Sequence, residues 1–314
     1  MSELPVQIFE VGPRDGLQNE KQILGLADKI WLVQALAAAG LRDLETGSFV
    51  RPDKVPQMAD TEALAQHFVK HPPVNPHGST RMWYLVPNQK GLERAIASGA
   101  THVAFFTAVS DSFNKKNIGK SVDESFVEMK QLMIDAKKHS LKVRGYVSTV
   151  WGCPFEGRIA PAHALLVLEK MLELGVDQLS IGDTIGVANP SGVKEILAPL
   201  IRAHGVEKMA VHFHDTRGTA LANALQSYEL GIRAFDASLG GLGGCPFAPG
   251  AAGNLATEDL VYFFKEMGIE CGVNYRALCE TSVELFKRMK KTIHSSKALQ
   301  AYVANCTKNS VWDS

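Results

Sequence analysis

Two histidines two residues apart, His212 and His214, are the sharpest chemical signal in this chain. On a β-strand, residues i and i+2 share a face, so both imidazoles would point the same way and could converge on a metal ion. The alternative is a pair of hydrogen-bonded structural histidines. Asp15 and Asn254 add oxygen donors if the fold brings them to the same rim. Such a mixed nitrogen and oxygen set, with positions left open, suits Mg²⁺ or Mn²⁺ and could also hold Zn²⁺. A second signal is the glycine-rich stretch from Leu239 to Gly250, which carries Cys245. Its glycines imply backbone conformations that side chains forbid, and mobility. It matches no P-loop and could be a solvent-exposed connection. A cysteine on such a loop beside a cationic centre could act as acid or base, whereas a buried one is packing. Arg14, next to Asp15 and near Glu45, could form a buried pair that aims its guanidinium at a developing oxyanion. Asn114-Lys115-Lys116-Asn117 reads as a solvated turn that could meet an acidic ligand.

These residues need a scaffold that gathers them. Eight β-rich runs alternate with helical segments: 6–11, 41–46, 81–86, 102–106, 142–147, 178–181, 209–213 and 234–237. The clear helical stretches are 91–98, 122–138, 162–174, 191–203 and 219–230, and a helical pattern over 30–37 stops at Gly40. Asn189-Pro190 reads as a cap followed by proline in the first turn. Alternation on this scale requires parallel strands, and eight of them predict an α/β fold, a (β/α)8 TIM barrel. The open doubly wound sheet competes, but its G-x-G-x-x-G turn is absent after the first run. In barrels the site lies at the C-terminal ends of the strands. There the sequence places Arg14, Asp15 and Gln18, then Glu45 and Ser48, Asp183, the two histidines, and the glycine loop. Residues 257–267 should close the barrel, and 275–290 are additional. The whole chain, 1–314, is expected to be one catalytic barrel domain, with 268–314 as a C-terminal helical extension.

Composition narrows the classes. The chain has 314 residues, 33 Lys+Arg against 33 Asp+Glu, and 46% hydrophobic residues. A neutral chain has no global attraction for nucleic acid or an anionic membrane, so any hold on phosphate must be local. No apolar run approaches a membrane span. Five cysteines, an odd number without a C-x-x-C pair, fit a reducing compartment. The N-terminal residues lack signal- or transit-peptide character, and the final tripeptide is not peroxisomal, so a cytoplasmic protein is expected.

Taken together, the motifs resemble those of 3-hydroxy-3-methylglutaryl-CoA lyases. The matching segments begin with Gly12-Pro13-Arg14-Asp15-Gly16-Leu17-Gln18-Asn19-Glu20 and Glu45-Thr46-Gly47-Ser48-Phe49-Val50. Lys115-Lys116-Asn117-Ile118 and Gly182-Asp183-Thr184-Ile185-Gly186 follow. The most telling are His212-Phe213-His214-Asp215-Thr216 and Gly240-Gly241-Leu242-Gly243-Gly244-Cys245-Pro246, continuing to Ala248-Pro249-Gly250 and Gly253-Asn254. The Arg-Asp-Gly start and H-x-H strand are shared with metal-dependent acyl-transfer barrels such as isopropylmalate and homocitrate synthases; the cysteine loop is more specific to the lyases. The resemblance implies Asp15, His212, His214 and Asn254 as ligands of a divalent cation, Mg²⁺ or Mn²⁺. It implies Cys245, Arg14, Asp15 and Glu45 as catalytic residues, and Arg14, Gln18, Ser48 and Asp183 as substrate-binding candidates. It also implies an acyl-CoA substrate cleaved to acetyl-CoA and acetoacetate, a role in leucine degradation and a homodimer. Arg51-Pro52-Asp53-Lys54 departs from the commoner Ser-Pro-Lys-Trp after the second strand, on the side expected to meet the acyl chain. The competing functions are a Claisen-type synthase of the same superfamily, which would not need Cys245, and a non-catalytic ligand-binding barrel.

Overall fold

The protein is described by a computed structural model covering residues 5–244, 253–292 and 295–306. Eight parallel strands close into a barrel: β1 (Gln7–Glu10), β2 (Asp43–Ser48), β3 (Arg81–Leu85), β4 (His102–Ala108), β5 (Lys142–Ser148), β6 (Gln178–Asp183), β7 (Met209–Phe213) and β8 (Ala234–Ala237). Each pairs with its sequence neighbour, and β1 pairs with β8 to complete the ring, so no edge is left open. All eight expected runs are strands. The expected open-sheet competitor is therefore excluded.

The period-two pattern of the strands divides two environments. Leu44, Val143, Leu179, Ile181, Val211, Phe213 and Phe235 join the large apolar core beneath the helices. The alternate positions, Asp43, Glu45, Arg144, Tyr146, Ser180, His212 and Asp236, face the barrel interior. Phe9, Val11 and Trp83 form a small separate apolar cluster there. An interior carrying this much charge must pair it, because an unpaired buried ion is costly. It does so at its lower end through Asp43, which accepts from Arg81 Nε at 2.6 Å and Trp83 Nε1 at 2.9 Å.

The outer helices are α1 (Leu26–Ala38), α2 (Thr61–Lys70), α3 (Gln89–Ala97), α4 (Asp111–Ile118), α5 (Val122–Lys138), α6 (Pro161–Glu173), α7 (Pro190–His204), α8 (Ala220–Glu229), α9 (Thr257–Glu266) and α10 (Tyr275–Arg288), and α5, α7 and α10 follow the sequence reading closely. Asn189 caps α7 by accepting from Gly192 N at 3.0 Å, with Pro190 in the first turn. Residues 111–118 correct an expectation: the Asn114-Lys115-Lys116-Asn117 stretch lies within a helix, α4 (Asp111–Ile118), and is not a turn. Ser110 caps it by accepting from Phe113 N, and Gly119 ends it in the left-handed region at φ 73°. The additional helix α10 packs on α1 (Leu26–Ala38). Arg288 pairs with Asp28 at 2.6 Å and lies over the Trp31 ring at 4.0 Å.

Candidate active site

At the C-terminal end of β1 the chain makes one π-helical turn, Gly12–Gly16, with Arg14, Asp15 and Gly16 N–H groups all directed to Val11 O. Its glycines are required by close approach. A Cβ on Gly12 would stand 2.1 Å from Leu239 Cδ2, and one on Gly16 would stand 2.8 Å from Ser238 Oγ. The turn thereby packs against the end of β8 and delivers Arg14 and Asp15 to the barrel mouth.

Arg14 donates from Nε to Glu45 Oε2 at 2.7 Å, with Nη2 2.6 Å from the same oxygen, and from Nη1 to Asp15 Oδ1 at 2.7 Å. The expected Arg14–Glu45 pair is thus formed, and both residues are buried. Burial works against the guanidinium charge, but Glu45 and Asp15 outweigh it and raise its pKa. Burial pushes the Glu45 carboxyl upward while Arg14 opposes that rise. Glu45 Oε1 has no hydrogen-bond partner.

Asp15, His212 and His214 present ligand atoms that all lie within 4.8 Å of one another. The fourth expected ligand arrives from after the glycine loop. Asn254 bridges His214 through the backbone, and Leu255 N donates to Phe213 O at 3.0 Å, so residues 253–255 run along the end of β7. The Asn254 amide donates to Asp15 Oδ2 at 2.8 Å and to Leu242 O at 3.0 Å. Both amide hydrogens are thereby used, and its buried Oδ1 is left without a partner. An oriented, unsatisfied oxygen beside a carboxylate and two imidazoles fits a divalent cation. The charge states of Asp15 and His214 agree, whereas burial works to lower His212 but Asp236 and Asp15 outweigh it and raise it. Burial opposes ionisation of Asp15, but Arg14, His212, Asn254 and His214 hold it down at about 2. Burial, then the neighbouring His212, lowers His214 to about 4, so its ring is neutral at pH 7 and free to ligate.

The other candidates fall around this centre with different commitments. Gln18 is half-buried just beyond the π-turn. Ser48 Oγ donates to Leu85 O at 3.3 Å. Asp183 accepts from Val187 N at 3.0 Å and Ala188 N at 2.9 Å, so its carboxylate holds the loop that precedes α7. Lys116 lies 3.7 Å from the Phe155 ring centroid. Arg51 and Asp53 form an exposed pair at 2.7 Å. Cys245 lies outside the described residues, as do 246–252. The base of its loop is in place: Asn19 Nδ2 donates to Gly244 O at 3.0 Å, and a Cβ on Gly243 would stand 2.6 Å from Asn254 Nδ2.

Two buried acids hold this loop base: Glu10, which the sequence places at the end of the first strand without a role, and Glu258, which sequence reasoning passed over. Glu10 accepts from Gly12 N at 2.7 Å, Leu239 N at 2.9 Å and Thr257 Oγ1 at 2.6 Å. Glu258 accepts from Gly240 N at 2.8 Å and from the Ser282 hydroxyl. Sequence reasoning also passed over Arg144, Ser180 and Asp236 beneath His212, whose signal was the polar member of each period-two pair. A cavity of about 530 Å³, lined in part by Arg42, Arg81 and Arg233, opens at the opposite end of the barrel, away from this chemistry.

The HMGL-like family model matches residues 5–284. The mitochondrial hydroxymethylglutaryl-CoA lyase of Bos taurus is 45% identical over 293 residues, covering 93% of this chain and 88% of that protein. A crystal structure of the Bacillus subtilis HMG-CoA lyase aligns with a TM-score of 0.90 at 41% identity, covering 96% of this chain and 99% of that one. An HMG-CoA lyase from Acinetobacter baumannii, solved with coenzyme A and 3-methylmalate, aligns with a TM-score of 0.88 at 35% identity, covering 96% of this chain and 97% of that one. Among the described residues, no helix is long and apolar enough to cross a membrane.

Proposed function

The chain belongs to the HMGL-like family, whose hydroxymethylglutaryl-CoA lyase members it matches over nearly its whole length, and on that premise we propose that it cleaves 3-hydroxy-3-methylglutaryl-CoA to acetyl-CoA and acetoacetate. It is a carbon–carbon lyase of that type. The observation that carries the substrate reading is the junction of two devices at one barrel mouth. One is a guanidinium aimed by Glu45; the other is the Asp15, His212, His214 and Asn254 donor set, which Arg14 touches through Asp15.

Breaking C2–C3 of the substrate sends an electron pair onto C2, conjugated with the thioester carbonyl, while the 3-hydroxyl gives up its proton and becomes the ketone of acetoacetate. A divalent cation, Mg²⁺ or Mn²⁺, held by Asp15, His212, His214 and Asn254 Oδ1, supplies Lewis acidity and fixed orientation for the hydroxyl when bound. Arg14 neutralises charge developing on the thioester oxygen, and Glu45 keeps the guanidinium from relaxing away. Asp15, anionic at neutral pH, is also a candidate to receive the hydroxyl proton. Cys245 gives its proton to C2, and the hydroxyl proton then passes to the resulting thiolate, so substrate and enzyme both end with the protons they began with. Gln18, Ser48 and Asp183 belong to the substrate side in this reading. The acyl-CoA class is supported by the coenzyme A complex of the Acinetobacter baumannii relative. A homodimer and a role in leucine degradation accompany this assignment. Cys153, Cys271 and Cys279 form no disulfide, which fits a reducing compartment such as the cytoplasm.

The test is a panel of 3-hydroxyacyl-CoA thioesters incubated with Mg²⁺, with products identified by mass spectrometry. Acetyl-CoA and acetoacetate should form from the hydroxymethylglutaryl thioester, and chelation should stop their formation. Cleavage of a different thioester with none of this one would overturn the substrate assignment.

A further inference from the structure

Asp236 stands opposite His212 in the β7–β8 register, with its side chain completely buried. Its carboxylate collects three donors from three consecutive barrel strands. Arg144 Nη2 on β5 is 2.5 Å from Oδ1, Ser180 Oγ on β6 is 2.9 Å from Oδ2, and His212 Nδ1 on β7 is 3.2 Å from Oδ2. An ionised carboxylate can only accept, so the nitrogen facing it must carry a hydrogen. That leaves Nε2 of His212 as its lone-pair atom. Arg144 keeps the carboxylate charge compensated. The guanidinium is itself fixed, lying 3.7 Å from the Phe9 ring centroid and donating to Tyr146 OH at 3.0 Å.

We propose that Asp236 is a positioning residue for the cation site: it fixes the tautomer and ring orientation of His212 so that Nε2 is presented beside Asp15 and His214. Ser180 and Arg144 hold the carboxylate in the orientation that does this. The inference rests on the metal-site reading above and names the part of the chain that gives that site its geometry. A histidine ligand whose other nitrogen is held by a carboxylate is both a stronger donor and a better-ordered one.

Asp236→Asn removes the charge and permits the amide to turn an N–H toward Nδ1. Mn²⁺ binding, followed by electron paramagnetic resonance of the free ion, should weaken about 10–100-fold. The activation constant for Mn²⁺ should shift by a similar factor, and turnover at saturating Mn²⁺ should fall much less. Native Mn²⁺ affinity in a folded Asp236→Asn protein would overturn the proposal. Because that substitution leaves Arg144 with one partner fewer, the wild-type protein gives a second reading that requires no folded Asp236 variant. In the Mg²⁺-loaded, ¹⁵N-histidine-labelled chain, the His212 signal, identified by its loss in His212→Gln, should show a protonated Nδ1. A protonated Nε2 would overturn the proposal. The two readings fail separately: wild-type protein that binds Mn²⁺ tightly, loses that affinity in Asp236→Asn, and cleaves no hydroxymethylglutaryl thioester removes the lyase assignment and supports Asp236 in its role.

Discussion

Arg14 spends two of its nitrogens on a single oxygen of Glu45 and a third on Asp15. That geometry needs a planar fork, which an ammonium lacks. Arg14→Lys should therefore lower kcat by about 10²-fold or more, the scale of losing one aimed oxyanion donor. Thermal stability should change much less than turnover, since a lysine still places a cation beside Glu45. Steady-state kinetics beside a melting curve checks this; an unchanged kcat with a large drop in melting temperature would make the arginine a structural partner of Glu45. Cys245 carries the complementary prediction. Cys245→Ala should lose turnover while keeping Mn²⁺ affinity, because the thiol is assigned to proton transfer and the ligands are elsewhere. Alkylation that leaves activity intact, with full modification of Cys245 confirmed by mass spectrometry, would remove the thiol from the mechanism.

At the scale of elements, the two ends of the glycine loop lie back to back, and this is what brings Asn254 to Asp15. A Cβ on Gly253 would stand 1.6 Å from Gly243 O and 2.4 Å from Gly241 O, both backbone atoms that cannot swing aside. Gly253→Ala should lower the free energy of unfolding by about 1–3 kcal/mol, as for other overpacked sites. It should also weaken Mn²⁺ binding by displacing Asn254. Calorimetry with a metal titration reads both, and native values for both would deny the strap its role. Glu10 and Glu258, which hold the same loop base, give it a pH signature. Burial raises them from 4.5 to about 7 and about 8 respectively, against the hydrogen bonds each accepts. Folded chains then keep protons that unfolded chains have lost, so these two groups make stability decline as pH rises from about 4.5 to 8. Glu258→Gln should flatten urea midpoints measured between pH 5 and 8; an unchanged slope would show that Glu258 does not set it. The strands were legible from sequence because alternation and β-branched runs are local properties. The helix at 111–118 had local marks too, Ser110 and Gly119, but its charged run suggested a solvated turn. Asp236 was not legible, since its three donors lie 24 to 92 positions away and meet only through barrel register. Nor was the π-turn at 12–16, whose glycines are explained by Leu239 and Ser238, side chains from the far end of the chain.

On the scale of the whole molecule, closing the barrel turns three separate segments into one donor set. Asp15 comes from the first βα turn and His212 from the seventh strand, while Asn254 lies 239 residues beyond Asp15. Such a site exists only in the folded chain, so cation binding must stabilise folding by the linkage between binding and unfolding. At a free-ion concentration of 100 times the dissociation constant the gain is about 2.7 kcal/mol. For a chain of this size that corresponds to a melting-temperature rise on the order of 5 °C. The neutral overall charge makes a general electrostatic origin for such a rise implausible, and a salt control with Na⁺ at matched ionic strength separates the two. His214→Ala should abolish the Mn²⁺-dependent rise while leaving the metal-free melting temperature close to that of the wild type, because the lost imidazole is a polar ligand and not a core hydrophobe. His212→Ala should do the same to the rise but also lower the metal-free value, since it leaves Asp236 short of one donor. Differential scanning calorimetry of the three proteins across a Mn²⁺ series decides this. A wild-type melting temperature indifferent to Mn²⁺ and Mg²⁺ would show that the four residues, though assembled, do not hold a cation.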